Sequence, residues 1–586
     1  MPFHSNAPPR ARRTFLRLPV GLTLLALLSF FACTVRHEAP DLKGKDVRLT
    51  ILHTSDIHSR LLPYEMVPIY TDQTLGLKEG RGPYGGIARL AYLVKRERAK
   101  AGRSIMLDSG DCFQGAPIFN LFHGEVEIRA MSELKPTAVV VGNHEFDAGS
   151  ENYATQLEQW SGFPSVAANY IFDDPSLEWA NRLGALVQPY TIVNVNGLKI
   201  GIIGMGNLSS MTGIVEGGNS QGIIPLDTLE TVEAYVGLLR PSVDLIMIVS
   251  HLGLEEDVLI AQKVPGIALI AGGHLHVAIN PPKRVINEET GDEVIVMHSG
   301  AFAKYLGRLD VVVRDGKVLS HTFQLFPVDN TLPDDPEMLE LLEPYRLELG
   351  LTYDLNRVVG HATEDVNRFG TSGGDGALGN FVAESMQFRN RVDTDFSLTN
   401  TLGIRTNIQA GDITLEQLYN VLPFDNTITT MFLSGQEIQE LFDYVSFRSS
   451  DRGCNAQAQI SGATFTMDCL NREARDITIG GSGRRCEADP ECADRGERCI
   501  GVSGGETSGR CLLPLNPNGV YELATNDYIA HGGSGFEVLE QNTTQFDTGI
   551  PIRTAVIEYL QRYPVIPDPD SGIAVEDNRI RVVYGE

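Results

Sequence analysis

The chain has 586 residues, 42% of them hydrophobic and 21% charged, with a formal net charge of −27. That length exceeds what one core holds, so two large domains are expected. The acidic balance excludes a protein built around a basic face for nucleic acid or an anionic membrane. An anionic substrate can approach such a body only where metal ions or a few arginines reverse the local potential.

In chain order, the first element is a targeting segment, residues 1–32. Arg12-Arg13-Thr14-Phe15-Leu16-Arg17 precedes an apolar run from Leu18 to Ala32. The twin arginines resemble the signal that exports folded proteins to the periplasm or cell envelope. Ala32-Cys33 resembles a lipoprotein cleavage site, which would make Cys33 a lipid anchor; plain secretion is the alternative. No later run is long and apolar enough to span a membrane.

From residue 46 to 326, short β-branched runs alternate with helical stretches. Arg48–Leu52, Ser104–Leu107, Ala138–Val141, Lys199–Ile203, Leu245–Val249 and Ile267–Ile270 read as buried strands, and Gly86–Lys100 as an amphipathic helix. The alternation predicts a layered α/β domain. Five runs lead directly into polar motifs. These are Asp56-Ile57-His58, Asp108-Ser109-Gly110-Asp111, Gly142-Asn143-His144-Glu145, Ser250-His251 and Gly272-Gly273-His274-Leu275-His276. In open α/β sheets such strand ends form binding sites.

Residues 327–356, which hold Pro327, Pro333 and Pro336 and a helical stretch over Met338–Leu349, read as an interdomain connector. A smaller α+β domain, residues 357–586, opens with a helix (Leu378–Gln387) and a strand (Asp395–Thr399). A Gly-, Arg- and Cys-rich insertion at about 447–513 interrupts it. Six of the eight cysteines, Cys454, Cys469, Cys486, Cys492, Cys499 and Cys511, crowd there. In an exported chain they predict three disulfides, with fifteen possible pairings. Cys454 with Cys469, and the last four among themselves, is the favoured set.

An Asp/His mixture suits Zn, Mn or Co better than Mg or Ca. Phosphate-ester hydrolysis needs a nucleophile at neutral pH and neutralised phosphoryl charge, and two divalent ions about 3.5–4 Å apart supply both. The order Asp-x-His, Gly-Asp, Gly-Asn-His-Glu, His, Gly-His-x-His resembles the calcineurin-like metallophosphoesterases. Within them it is similar to the 5′-nucleotidase branch, which includes UDP-sugar hydrolases.

The resemblance implies that Asp111 bridges two ions. Asp56, His58 and His276 complete one site, and Asn143, His251 and His274 the other. It implies attack by metal-bound hydroxide, and a His144–Asp147 dyad that stabilises the transition state. His276 stands where this branch often has Gln or Asn. Asp108, Ser109 and Cys112 read as support, and His53, His123, His298, His361 and His531 as unrelated to the site.

The likeness extends into the second domain. Leu398–Arg405 resembles the family's Asn-Gly-Gly-Gly-Ile-Arg loop with two glycines replaced, and Leu422–Thr427 and Asn526–Phe536 match later motifs. It implies that Arg405 and Asn400 hold the phosphate or ribose and that Phe424 and Tyr528 stack on a base. Arg368 is a further candidate phosphate contact. Ser534 replaces the family's ribose-binding Asp, which leaves the sugar less well specified. Nucleotide 5′-monoesters, 2′,3′-cyclic diesters and UDP-sugars all fit as substrates, and the family's two domains rotate to carry substrate to the metals. The alternatives are a thiosulfohydrolase of the same superfamily, against which Asn400, Arg405 and Phe424 argue, and a surface-binding protein on this scaffold, against which the complete ligand set argues. Oligomeric state has no sequence signal.

Overall fold

The computed structural model describes residues 42–172, 178–208, 223–389, 392, 394–481, 485–486, 488–493, 496–500 and 509–585. The expected export signal and Cys33 lie outside them. Among the described residues no helix is long and apolar enough to cross a membrane.

The first domain starts with β1 (Val47–Thr54), in which every residue but Arg48 is buried. Burial on both faces is what its near-continuous apolar sequence dictates. A parallel neighbour then requires a crossover. Helix α1 (Ile87–Ala99) makes it, β2 (Ser104–Asp108) pairs parallel with β1, and α2 (Glu125–Leu134) leads to β3 (Ala138–Val140). Two short strands follow, β4 (Ser165–Val166) and β5 (Val187–Gln188).

A second sheet is built from β6 (Tyr190–Val195), β7 (Leu198–Met205), α3 (Thr228–Leu239), β8 (Leu245–Ser250), α4 (Leu254–Lys263), β9 (Leu269–Gly272), β10 (Lys283–Ile286) and β11 (Glu293–His298). The chain then returns to the first sheet through β12 (Tyr305–Arg314) and β13 (Lys317–Pro327). The strand orders are β13-β12-β1-β2-β3-β4-β5 and β10-β11-β9-β8-β7-β6.

The two sheets pack face to face. Ile51, Leu107, Val140 and Val166 of the first meet Ile200, Ile202, Met247, Val249 and Leu269 of the second in one buried cluster. Helices α1 and α2 cover the outside of the first sheet, and α3 and α4 the outside of the second. The result is a four-layer α/β/β/α domain, the layered architecture expected. All five polar motifs stand where the ends of β1, β2, β3, β8 and β9 converge.

The connector helix is α5 (Pro336–Thr352), whose N-cap Asp335 accepts a hydrogen bond from the Met338 amide. It buries Met338, Leu342 and Leu349 among residues of α1 and α2. It is therefore packed onto the first domain along its length.

The second domain comprises α6 (Ala377–Gln387), β14 (Phe396–Asn400), α7 (Leu415–Val421), β15 (Thr427–Ser434), α8 (Gly435–Ser450), β16 (Ala458–Ser461), β17 (Ala463–Asp468), β18 (Glu473–Ile479), β19 (Val520–Asn526), β20 (Phe546–Pro551), α9 (Ile552–Arg562) and β21 (Ile580–Val583). Its main sheet has the order β16-β14-β19-β15-β20. Leu523 and Ala524, adjacent in β19, face opposite cores, one with α8 and one with α6 and α9. Helix α8 starts on a reciprocal cap, in which Ser434 accepts from the Glu437 amide and Glu437 accepts from the Ser434 amide.

The insertion is narrower than its composition suggested. Strands β16 to β18 lie within 447–513, yet Ala458, Ile460, Phe465, Met467 and Ile477 are core residues of the domain. Only the stretch after Ile479 is poor in apolar side chains and depends on cross-links. The disulfides are Cys454–Cys469, Cys486–Cys499 and Cys492–Cys511, the last two interleaved. Cys112 is free and buried.

Candidate metal centre and substrate cleft

The expected metal residues converge. Ligand atoms of Asp56, His58 and His276 lie within 4.8 Å of one another, as do those of Asp111, His251 and His274. Asp111 spans the two groups, with Oδ2 2.9 Å from His251 Nε2 and 3.8 Å from His58 Nε2. Asp56 Oδ1 lies 3.5 Å from His276 Nε2 and 4.0 Å from His251 Nε2. Asp56, His58, Asp111, His274 and His276 all have positive φ, between 50° and 79°. Non-glycine residues held there cost free energy and cluster at functional sites.

Hydrogen bonds fix which nitrogens face inward. His58 Nδ1 lies 2.8 Å from the Gln114 carbonyl and His251 Nδ1 2.5 Å from the Ser109 carbonyl. A carbonyl only accepts, so each Nδ1 carries the proton and a neutral ring turns its Nε2 lone pair into the site. The His58 and His276 Nε2 atoms then face each other at 2.9 Å. His251 Nε2 approaches Asp111 without hydrogen-bond geometry, and Asn143 Oδ1 is buried without a partner.

Imidazole nitrogens turned toward one another, and a buried amide oxygen aimed at nothing, are what a cation site looks like to its ligands. The electrostatics agree. Burial holds His58 and His276 well below the usual imidazole range and His274 at about 3, so all three are neutral donors. Burial alone would lower His251 as well, but Asp111 outweighs it and pulls the ring up to about 10. Asp111 thus draws a positive charge to that point. The mixed O and N donor set fits two borderline divalent ions.

His144 sits beside this cluster and points its Nδ1 at Asp147 Oδ2, 2.8 Å away. Burial opposes charge on its ring, but Asp147 and then Asp111 raise its pKa above the ordinary value. Its backbone amide donates to Asp111 Oδ1 at 2.8 Å, tying the His144–Asp147 pair to the carboxylate that spans the two groups.

The second domain closes over this site. Phe424 stacks on the His144 ring, with centroids 5.8 Å apart and planes 27° from parallel. The Arg405 guanidinium lies over Phe424 at 5.6 Å. Its charge is felt at His58, His144, His274 and His276, and it has no carboxylate within ion-pair distance among the described residues. The closed arrangement is pinned where Asn120 donates to Asp425 (2.8 Å) and to the Pro423 carbonyl (3.2 Å), and where Arg60 donates to Asn420.

Two family patterns match the chain: calcineurin-like phosphoesterase over residues 49–278, and 5′-nucleotidase, C-terminal domain, over residues 358–541. The chain belongs to the 5′-nucleotidase family of metallophosphoesterases. It is 27% identical over 545 residues to a snake venom 5′-nucleotidase of Crotalus adamanteus, covering 88% of this chain and 86% of that protein. With human 5′-nucleotidase it shares 27% over 547 residues, covering 88% and 89%. A 5′-nucleotidase precursor from Thermus thermophilus superimposes with a TM-score of 0.76 at 28% identity, over 92% of this chain and 100% of that one. A sulfate thiohydrolase from the same organism has a TM-score of 0.69 at 17% identity, over 93% and 98%, and shares the fold.

Within this family frame, the other expected substrate residues fall into place unevenly. Tyr528 is half-buried at the cleft, its hydroxyl 3.4 Å from Ser534 Oγ. Asn400 is buried and accepts from Asn526 Nδ2 at 2.9 Å, which leaves its amide nitrogen for other work. Arg368 stands one step behind its expected place. Its Nη1 donates to the carbonyls of Ile404 (2.8 Å) and Arg405 (2.9 Å), so it braces the loop that presents Arg405.

Sequence reading gave no role to Glu145, although it lies inside a quoted motif. Its carboxylate accepts from the amides of Asp111 (3.1 Å), Cys112 (2.8 Å) and Gly142 (2.7 Å), locking two ligand loops together. Gly142 is required by proximity, because a Cβ there would lie 2.3 Å from Asp111 Oδ1. The His53 ring is buried between the hydroxyls of Ser299 and Ser109, behind the site.

Proposed function

We propose that this protein is an exported two-metal phosphoesterase that hydrolyses nucleotides, with nucleoside 5′-monophosphates as its primary substrates. Asp56, His58 and His276 would hold one ion, Asn143, His251 and His274 the other, and Asp111 both. The observation that carries the reading is the buried cluster of inward-facing donors, closed by Arg405 and Phe424 from the second domain. Ions at such a site acidify a water molecule and neutralise charge that builds on phosphoryl oxygens.

The remaining work falls to the chain. Arg405, without a carboxylate partner, draws the phosphate toward the cluster and fixes its orientation through paired hydrogen bonds. His144 keeps Nε2 free because Nδ1 is held by Asp147. Its raised pKa keeps a proton there for the phosphoryl oxygens or the departing 5′-oxygen. Phe424 covers His144 and excludes water, which strengthens every charge interaction beneath it. Phe424 and Tyr528 offer apolar faces to a base. The three disulfides and the twin-arginine signal support export.

The test is phosphate release from nucleoside 5′-monophosphates by the purified protein supplied with Mn, Zn or Co. Activity should be lost on chelation and in Asp111→Ala, and metal content should fall in that variant. Undiminished turnover in Asp111→Ala would sink the reading.

A further inference from the structure

Beyond Tyr528 and Ser534 stands Arg448, with Arg452 four residues on, and neither has an acidic partner among the described residues. Arg448 and Arg452 lie at the C-terminal end of α8 and just past it. Arg448 Nη1 donates to the Ser534 carbonyl at 2.5 Å and to the Tyr444 hydroxyl at 3.3 Å. The Tyr444 hydroxyl donates to that same carbonyl at 2.7 Å. Ser534 itself sits at φ 62°, outside the helical φ/ψ range, and is held there by these contacts. Arg448 Nη2 and Nε have no hydrogen-bond partner among the described residues, and the Arg452 guanidinium makes neither a hydrogen bond nor an ion pair among them. The two charges repel each other. In a chain with 75 acidic and 48 basic residues, two adjacent uncompensated guanidinium groups invite an anion.

Their position connects them to the active centre. The Tyr528 hydroxyl lies 3.4 Å from Ser534 Oγ and feels the charges of both Arg448 and Asp147. Ser534 therefore links the Tyr528 hydroxyl, through its Oγ, to Arg448, through its carbonyl. The cleft reads in order as a phosphate site at the metals and Arg405, aromatic faces at Phe424 and Tyr528, hydroxyls at Tyr528 and Ser534, and a second anion site at Arg448 and Arg452.

We infer that Arg448 and Arg452 form a second anion subsite, and that the preferred substrates are nucleotides carrying a further phosphate on the 2′ or 3′ oxygen of the ribose. This rests on the nucleotide reading above and names the substrate class within it. The 5′ phosphoester is cleaved: water adds to phosphorus, the bond from phosphorus to the 5′-oxygen breaks, and that oxygen leaves with a proton. The products are inorganic phosphate and a nucleoside 2′- or 3′-monophosphate, whose remaining phosphate stays on the arginines until release. Guanidinium recognises phosphate through charge-assisted, fork-shaped contacts, and Ser534 adds a hydroxyl without a competing negative charge.

The experiment compares steady-state hydrolysis of adenosine 5′-monophosphate, adenosine 3′,5′-bisphosphate and adenosine 2′,5′-bisphosphate by the metal-loaded full chain at low salt. One bisphosphate should exceed the monophosphate in kcat/KM by about tenfold, the scale of one charge-assisted contact. Arg452→Gln should remove that advantage through KM, with kcat for the bisphosphate held within about twofold, since a contact made equally to substrate and transition state acts on binding. Arg452 is exposed and its guanidinium makes no hydrogen bond or ion pair among the described residues, so its variant should melt with the wild type; Arg448→Gln, which also removes one of the two hydrogen bonds to the Ser534 carbonyl, is the second variant. Turnover of the monophosphate with no preference for either bisphosphate overturns the subsite alone. Equal losses on both substrate types in Arg452→Gln do the same. Failure to hydrolyse any of the three overturns the nucleotide reading and the subsite together.

Discussion

In the first domain the seven candidate ligands stand at the ends of five buried strands, and five of them are held at positive φ by the sheet and by backbone hydrogen bonds. In the second domain Arg405 and Phe424 stand on loops and Tyr528 on a four-residue helix, Asp527–Ala530, and Arg405 is braced by another loop residue, Arg368. The first arrangement is paid for by the fold and hardly adjusts, which suits metal ions with strict donor distances. The second can shift with its ligand, which suits discrimination among substrates. Loss of a group in the first domain should therefore change kcat or metal content, whereas loss in the second should change KM.

The sharpest way to break this contrast is His144→Asn, expected to lower kcat by about 10²–10⁴-fold, the usual worth of a positioned proton donor. Metal content, read by elemental analysis, should be unchanged. Asp147→Asn should follow in the same direction with a smaller loss, because the ring stays in place but loses the carboxylate that raises its pKa. An unaltered kcat in both would remove the dyad from the chemistry.

Glu145→Gln comes next. It keeps the shape of the side chain but replaces one of the oxygens that gather three amides around Asp111. Outer-shell partners of this kind are worth roughly 10–100-fold in metal affinity. Titration of the metal-stripped protein should show that weakening, with kcat recovered at saturating metal. A KM effect on substrate at saturating metal would contradict it.

Arg405→Lys tests the other half. Lysine keeps the charge but loses the fork, and KM for a 5′-monophosphate should rise about tenfold, the scale of one charge-assisted contact. Metal affinity should not move. A shift in metal affinity instead would make Arg405 part of the metal centre's electrostatics and blur the division between the domains.

The same contrast governs how much could be read without coordinates. The convergence of Asp56, His58, Asp111, Asn143, His251, His274 and His276 was legible because each follows a β-branched run, and strand ends in a parallel sheet converge. Glu145 was not, because its partners are backbone amides, which leave no trace in side-chain spacing. The bracing contacts of Arg368 were not legible, because the glycines between 370 and 376 hide how far the chain turns back. Arg448 was missed because what distinguishes it is a contact 86 residues away, to Ser534. The bounds of the cysteine-rich insertion were set too wide because its average composition masked β16 to β18, whose buried Ala458, Ile460, Phe465 and Met467 are ordinary strand residues.

The smallest expected effect on catalysis comes from the disulfides, all three of which lie in the second domain. Cys454–Cys469 closes 15 residues between α8 and the end of β17, and both cysteines are buried against that domain's core. A loop of that length corresponds to about 3 kcal/mol of constraint on the unfolded chain. Cys454→Ser with Cys469→Ser should lower the melting of the second domain, while kcat on a 5′-monophosphate at a temperature well below the transition changes by less than about twofold, since neither cysteine belongs to the proposed metal or 5′-phosphate site. A phosphine reductant is the matching chemical test, because dithiols also bind zinc and would confound the metal centre. The calorimetric trace carries the decision. If the first domain's transition stays in place while the second moves, the rigid and adjustable halves are independent folding units. If both move together, the contacts of Asn120 and Arg60 with the second domain couple the halves into one cooperative body, and the rigidity of the metal site extends to the loops that choose the substrate.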